Sequence, residues 1–294
     1  MPPPLRGRTV RRFGGEKSLR AKTAPRYPMN MEREYVRMAG AYAAIVYESC
    51  AKRLPEIRRA VTAERNGGRL DGLAELRSFV SKKFLDIQAA FEKKAGLFHL
   101  EWRLSRLANL GRKLSVYEWK RAVSRTLGVN ILEDHYKGEH YRRQMRAWAE
   151  RNAGLIKTIP KDALAAMQSI VQDGITNGTP TKDIGKAIQA EYGACRKKAR
   201  ALARDQCAKL NADLTEAQHR EAGIEKYAWS SSGDSRVRKS HAELDGKTFG
   251  YDAPPVVDER TGRRAHPGRD FQCRCAALPV FDVDGLDLPW DGRH

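Results

Sequence analysis

Apolar residues recur at helical spacing from Tyr35 to about Gln218, and this period constrains the fold more than any other feature of the chain. Tyr35, Met38, Ala39, Tyr42, Ile45 and Val46 follow the i, i+3, i+4, i+7 rule of a helix with one buried stripe. Pro55 should bend or restart that helix, because it lacks the N–H of the i−4 bond and crowds the preceding turn. Arg65-Asn-Gly-Gly-Arg69 breaks it. Leu73, Leu76, Val80, Phe84, Ile87 and Phe91 fall on one face of a second helix. Trp102, Leu104, Leu107, Leu110 and Leu114 mark a third, and Trp119, Val123 and Leu127 a fourth. Gly128-Val-Asn130 interrupts the pattern before another helix opens over Tyr141 to Trp148. Pro160 is expected as the first residue of a helix through Asp173, where its missing N–H costs nothing. Thr181 is expected to cap the next helix, and Lys197 to Gln218 to form one long Ala-rich helix.

After Gly223 the period changes. Glu225-Lys-Tyr-Ala-Trp-Ser230 alternates polar and apolar residues, as a half-buried strand does. Short extended pieces are expected at Thr248-Phe249 and over Ala276 to Phe281, between loops rich in Pro and Gly. The fold expected is therefore mainly α with a small α+β C-terminal unit. It has a helical N-terminal half, then short strands and long loops after residue 223. The sequence shows no internal repeat of fixed period. It shows no run of about 18 apolar residues, so no membrane span is expected, and the first residues lack the apolar stretch of a secretory signal.

Charge bears on partners. The 294 residues hold 55 Lys and Arg against 36 Asp and Glu, a net +19. Such an excess attracts a polyanion or an acidic protein surface, without specifying a fold. It is uneven along the chain. Residues 1–30 carry Arg6, Arg8, Arg11, Arg12, Lys17, Arg20, Lys22 and Arg26 against Glu16, and few large apolar side chains. This segment is expected to be a disordered basic arm, since it buries too little surface to offset the entropy of ordering. Arg6, Arg8, Arg11, Arg12, Lys17 and Arg20 are its candidate DNA contacts. The organisation expected is the arm (1–30), a helical N-terminal region (31–150), a C-terminal domain (151–281) and an acidic tail (282–294).

The five cysteines are Cys50, Cys195, Cys207, Cys273 and Cys275. An odd number without an export signal argues against a disulfide framework. The densest cluster of chemically capable residues lies between Asp234 and Cys275. His241, His266, Cys273 and Cys275 form a candidate zinc set, because zinc takes nitrogen and sulfur ligands and would staple a loop-rich unit. The spacing is not that of a standard finger, and the other reading is of buried thiols and hydrogen-bonded histidines. Ser230-Ser-Ser-Gly-Asp234 with His241 could pair a nucleophile and a base. The sequence has no Gly-x-Ser-x-Gly elbow, phosphate loop or His-Glu-x-x-His, so no catalytic residue is assigned and no enzyme or small-molecule substrate is expected. Asp234 with Arg236 and Arg238 reads as a turn carboxylate held by guanidinium donors.

Two stretches together resemble a known family. These are Trp229-Ser-Ser-Ser-Gly-Asp-Ser-Arg-Val-Arg-Lys-Ser-His-Ala-Glu-Leu-Asp-Gly-Lys-Thr-Phe249 and His266-Pro-Gly-Arg-Asp-Phe-Gln-Cys-Arg-Cys275. With Ala201-Leu-Ala-Arg-Asp-Gln206 and Gly223 to Trp229 upstream, they are similar to the phage Mu F-like minor head, or head morphogenesis, proteins. The resemblance covers about residues 150–281 and rests on Trp229, Asp234, Arg236, Arg238, Asp245, Gly246 and Arg274 as signature positions. It implies a structural protein of a tailed-phage or prophage head. Its partners would be the portal protein, the major capsid protein and double-stranded DNA held through phosphates. Its place would be the virion head or procapsid interior, reached from the host cytoplasm. Many family members carry Cys-x2-Cys where this chain has Arg238-Lys-Ser-His241, and a shorter His-Pro-Asn-Cys-Arg-Cys where it runs from His266 to Cys275. A structural zinc site is therefore either kept by His241, His266, Cys273 and Cys275 or replaced by an Arg–Asp network. The alternatives to the head protein are a cytoplasmic nucleic-acid-binding protein and a zinc-dependent nuclease or toxin-like enzyme.

Overall fold

A computed structural model describes residues 17–67, 72–282 and 285–289. The fold is mainly α with a small antiparallel α+β part near the C-terminal end, as the periodicity implies. The chain forms two compact units, each discontinuous in sequence. The helical unit is Arg33–Ser105 with Ala149–Ala203, and the mixed unit is Met1–Glu32, Arg106–Trp148 and Arg204–His294. The linear boundary expected between 150 and 151 falls instead inside a helix, Glu139–Thr176.

The helical unit draws on α1 (Met29–Gly67), α2 (Leu73–Gly96), the start of α3 (Leu100–Leu127), α4 (Glu139–Thr176) and α5 (Thr181–Glu221). Most of the faces predicted by periodicity are buried, as at Tyr35, Ala39 and Val46 on α1 and Val80, Phe84 and Ile87 on α2, whereas Leu73, Trp102 and Leu110, placed on such faces, are exposed. Contacts tie α1 to each neighbour. Tyr42 meets Phe91 edge-on at 5.9 Å, Tyr47 stacks on Tyr192 at 4.4 Å, and Cys50 Sγ lies 3.6 Å from Met167 Sδ. Tyr35 Oη donates to Asn152 Oδ1 at 2.8 Å, which satisfies a fully buried amide.

The prolines do not break the helices. Pro55 lies inside α1 and Pro160 inside α4, so the expected restart at Pro160 does not occur. An interior proline costs about 3 kcal/mol, but Ile156, Ile159, Ala163 and Met167 are buried on both sides of Pro160. Their burial holds the axis continuous, since one large apolar side chain contributes about 1.5–3 kcal/mol. Two helix ends are followed by a glycine in the left-handed region, α3 by Gly128 at φ 70° and α5 by Gly223 at φ 75°. The predicted helices over 102–114 and 119–127 are one helix, α3, and α5 begins at Thr181 with the Pro180 carbonyl accepting from Asp183 N.

The mixed unit is built on a four-stranded antiparallel sheet. Its strands are β1 (Ser18–Arg20), β2 (Lys226–Ser230), β3 (Thr248–Gly250) and β6 (Ala276–Asp282), in the order β1-β6-β2-β3. A second ribbon pairs β4 (Val256–Asp258) with β5 (Arg263–Arg264), and a short helix α6 spans Lys239–Leu244. Residues 18–20 are thus not part of a disordered arm, because they pair with β6 through Leu19 and Phe281. Pro279 sits in a central strand without removing a bond to β2. Its carbonyl accepts from Ala21 N, just past the last β1 pair, so its missing N–H faces the same side, where β1 has ended. The sheet packs on the ends of α3 and α5. Trp119 stacks on Phe281 at 5.9 Å and meets the His219 ring at a tilt of 48° and 5.2 Å, and His219 Nδ1 lies 2.6 Å from Tyr251 Oη.

Candidate functional site

The signature residues gather at one edge of the mixed unit. Trp229, fully buried in β2, centres a core with Tyr227, Tyr251, Val257, Cys273, Cys275 and Ala277. Its backbone fixes the turn after α6. Gly246 N donates to Trp229 O and Trp229 N to Lys247 O, both at 2.8 Å. The turn needs Gly246, whose φ is +76°. Asp245 Oδ1 accepts from Ser231 N at 2.7 Å and so joins the turn to the loop leaving β2.

Asp234 holds that loop. Its carboxylate pairs with Arg236 at 3.1 Å and with Arg274, and it receives the Arg236 amide. The Arg274 bond, followed by Arg236, keeps its carboxyl below the usual range. Asp270 is a second and deeper acid, its side chain 1% exposed. Oδ2 accepts from Arg238 at 3.0 Å and lies 3.1 Å from His241 Nε2, while Oδ1 faces Arg263 at 3.1 Å. Arg238 also donates to Phe271 O at 2.7 Å. A buried carboxylate requires this compensation, since removing it from water costs several kcal/mol.

Next to Asp270 the chain brings His241, Cys273 and Cys275 together. Their candidate ligand atoms all lie within 4.8 Å of one another, and all three residues are buried. His241 Nδ1 is 3.5 Å from Cys273 Sγ and 3.7 Å from Cys275 Sγ. Cys273 Sγ accepts the Gly268 and Cys275 amides at 3.4 Å each. Of the two thiols, Cys273 has the lowered pKa, through the Cys275 hydrogen bond and then His241, whereas that bond and burial raise Cys275. Burial pushes the His241 imidazole down, but the Cys273 hydrogen bond and charge, with Asp270, outweigh it and hold the group above its usual value.

His266 is not in this cluster. Its Nδ1 lies 2.9 Å from Tyr227 Oη, and its ring packs on Tyr227 and Tyr251. The four-ligand zinc set is therefore corrected to three residues that converge and one that hydrogen-bonds elsewhere. Two left-handed residues in the connecting segment, Gly268 at φ 81° and Gln272 at φ 50°, redirect the chain between His266 and Cys273. Sequence reasoning did not single out Asp270 or Arg263. The only signal for Asp270 was its place inside the His266–Cys275 stretch, with Arg238 in need of a carboxylate.

Of the candidate DNA contacts, Arg6, Arg8, Arg11 and Arg12 lie outside the described residues. Lys17 is exposed, and so is Arg20 in β1, whose Nη1 donates to Gly246 O at 3.1 Å. Among the described residues no helix is long and apolar enough to cross a membrane.

The Asp234–Arg274 and Asp270–Arg238 pairs thus bracket the Cys-x-Cys of the mixed unit. Residues 165–278 match the model of the family described as Phage Mu protein F like protein. An uncharacterized protein of Haemophilus influenzae is 31% identical over 227 residues, which is 77% of this chain and 49% of that protein. The NAD(+)–arginine ADP-ribosyltransferase EFV of Enterococcus faecalis is 29% identical over 134 residues, 41% of this chain and 26% of that protein. The chain thus spans about half the length of the first relative and a quarter of the second. No solved structure matches it.

Proposed function

We propose that this chain is a structural minor head protein of a tailed phage or prophage, acting in head morphogenesis beside the portal and contacting packaged DNA through phosphates. The family match over 165–278 carries the reading. The net charge of +19 supports a polyanionic neighbour. The partners are the portal and major capsid proteins, and the place is the head interior. A scaffold role also fits the chemistry of the signature residues. Asp234 and Asp270 are engaged by guanidinium groups, an arrangement that fixes loops. The transferase named among the relatives shares only 26% of its length with this chain, and we carry no transfer chemistry over from it.

The test is a pull-down against the portal protein of the same genome, with imaging of assembled heads. Density for this chain at the portal vertex is the expected result. A chain that binds neither portal nor head, yet binds DNA, would support the cytoplasmic nucleic-acid-binding alternative. DNA affinity should fall steeply with salt and show little sequence preference, with a slope of about 0.9 per phosphate contacted. Deleting residues 1–16 should flatten that slope, and a flat titration of the intact chain would reject the phosphate mechanism.

A further inference from the structure

The spacing of His241, Cys273 and Cys275 is that of ligands around one ion. A tetrahedral zinc with bonds of about 2.0–2.1 Å to nitrogen and 2.3 Å to sulfur separates those two atoms by about 3.6 Å. The two observed separations, 3.5 and 3.7 Å, straddle that value. A second observation is independent of the sulfurs. His241 Nε2 faces Asp270 Oδ2 at 3.1 Å, so Nε2–H donates there and Nδ1 presents its lone pair to the cysteines. A carboxylate behind the imidazole is the usual outer partner of a metal-bound histidine. The backbone adds a third, because the two amides aimed at Cys273 Sγ suit a thiolate. All three residues line one cavity of about 140 Å³, which Ser232, Arg204 and Arg238 also line.

We propose that His241, Cys273 and Cys275 bind one zinc ion whose fourth position opens into this cavity and is filled by an exchangeable oxygen donor. Asp270 is a positioning residue that orients the imidazole, and His266 takes no part. Zinc with two thiolates and a neutral imidazole has no net charge, so the neighbouring guanidinium groups do not oppose it. The ion would join α6 to the start of β6 across a sequence separation of 32 residues between His241 and Cys273. A three-ligand site with an open position differs from a closed structural site, in which protein groups fill all four places.

The experiment is X-ray absorption at the zinc edge on the full chain purified with zinc, together with cobalt substitution. The expected result is one ion per chain, with two sulfurs, one imidazole and one further light ligand. Cobalt should give thiolate charge-transfer bands that are lost in Cys273→Ser and in Cys275→Ser. His266→Ala should keep full stoichiometry, and Asp270→Asn should weaken zinc about 10–100-fold without changing the ligand set. Absence of bound zinc, two imidazoles at the ion, or cobalt bands that survive both cysteine variants would each overturn the site. The absorption measurement needs no variant, so a misfolded mutant does not leave the question open.

Discussion

His219 should make the mixed unit acid-labile well above the pH at which carboxylates titrate. It is 2% exposed, between Trp119 and Tyr251, and complete burial pushes its pKa down from 6.5 to about 3. The native state therefore keeps the ring neutral, while the unfolded chain takes up a proton below pH 6.5. The sign follows: stability is full above pH 6.5 and is lost progressively as the pH falls toward 3. Each pH unit in that window costs about 1.4 kcal/mol, so pH 5 lies about 2 kcal/mol below pH 7 from this one group. The perturbation that isolates it is His219→Gln, which keeps a polar partner for Tyr251 Oη but cannot be protonated. Urea unfolding followed by tryptophan fluorescence at pH 7, 6 and 5 gives the comparison. The variant starts less stable at pH 7, and the gap should close by about 2 kcal/mol at pH 5. A gap that stays constant across the three pH values would refute the buried neutral imidazole as the cause.

Two further substitutions test the signature turn and the buried acid. Gly246→Ala should cost about 1–2 kcal/mol from the left-handed backbone alone, because nothing lies within 4 Å of the added Cβ. Gly246→Asn should lose less, and equal losses in denaturant midpoints would show that φ is not the reason. Asp270→Asn should lose on the order of 3 kcal/mol, since Arg238 and Arg263 then face an uncharged group; their partly exposed heads place this at the low end for a broken buried pair. Asp234→Asn should lose visibly less, because its side chain is 32% exposed, and a reversed order in thermal melts would contradict the burial argument.

The helical faces were legible because their period repeats over several turns, and Val80, Phe84 and Ile87 are buried as that period requires. The number of helices was not. Proline carries a strong local signal at positions 55 and 160, yet helix continuity is decided by what the flanking turns bury, which a local reading does not weigh. β1 was missed for a related reason. Three residues in a basic, proline-flanked segment show no alternation of their own, and Leu19 is ordered by the edge of β6 that it pairs with. The Cys-x-Cys and His241 could be read as a cluster because zinc chemistry depends on residue type. His266 could not be excluded from sequence, because two left-handed residues send it to Tyr227 and leave Asp270 beside His241.

The fate of the charge excess sets where a polyanion can be held. In the mixed unit many signature-region arginines already have carboxylate partners. Arg238 and Arg263 meet Asp270, Arg274 meets Asp234, Arg269 meets Asp213 and Glu216, and Arg220 meets Glu216 and Asp252. A phosphate would have to compete with these carboxylates for the guanidinium donors, and drawing an arginine away from Asp270 would leave a buried charge without its partner. The signature therefore reads as a device for holding loops in place rather than as a nucleic-acid surface. Residues 1–30 are different in kind: they hold eight basic residues against the single acid Glu16. Under the proposed function, phosphate contact is therefore expected first in this segment, although Arg26 within it also meets Glu118. The salt slope of binding should accordingly follow the arm, and the thermal stability of the mixed unit should follow the signature.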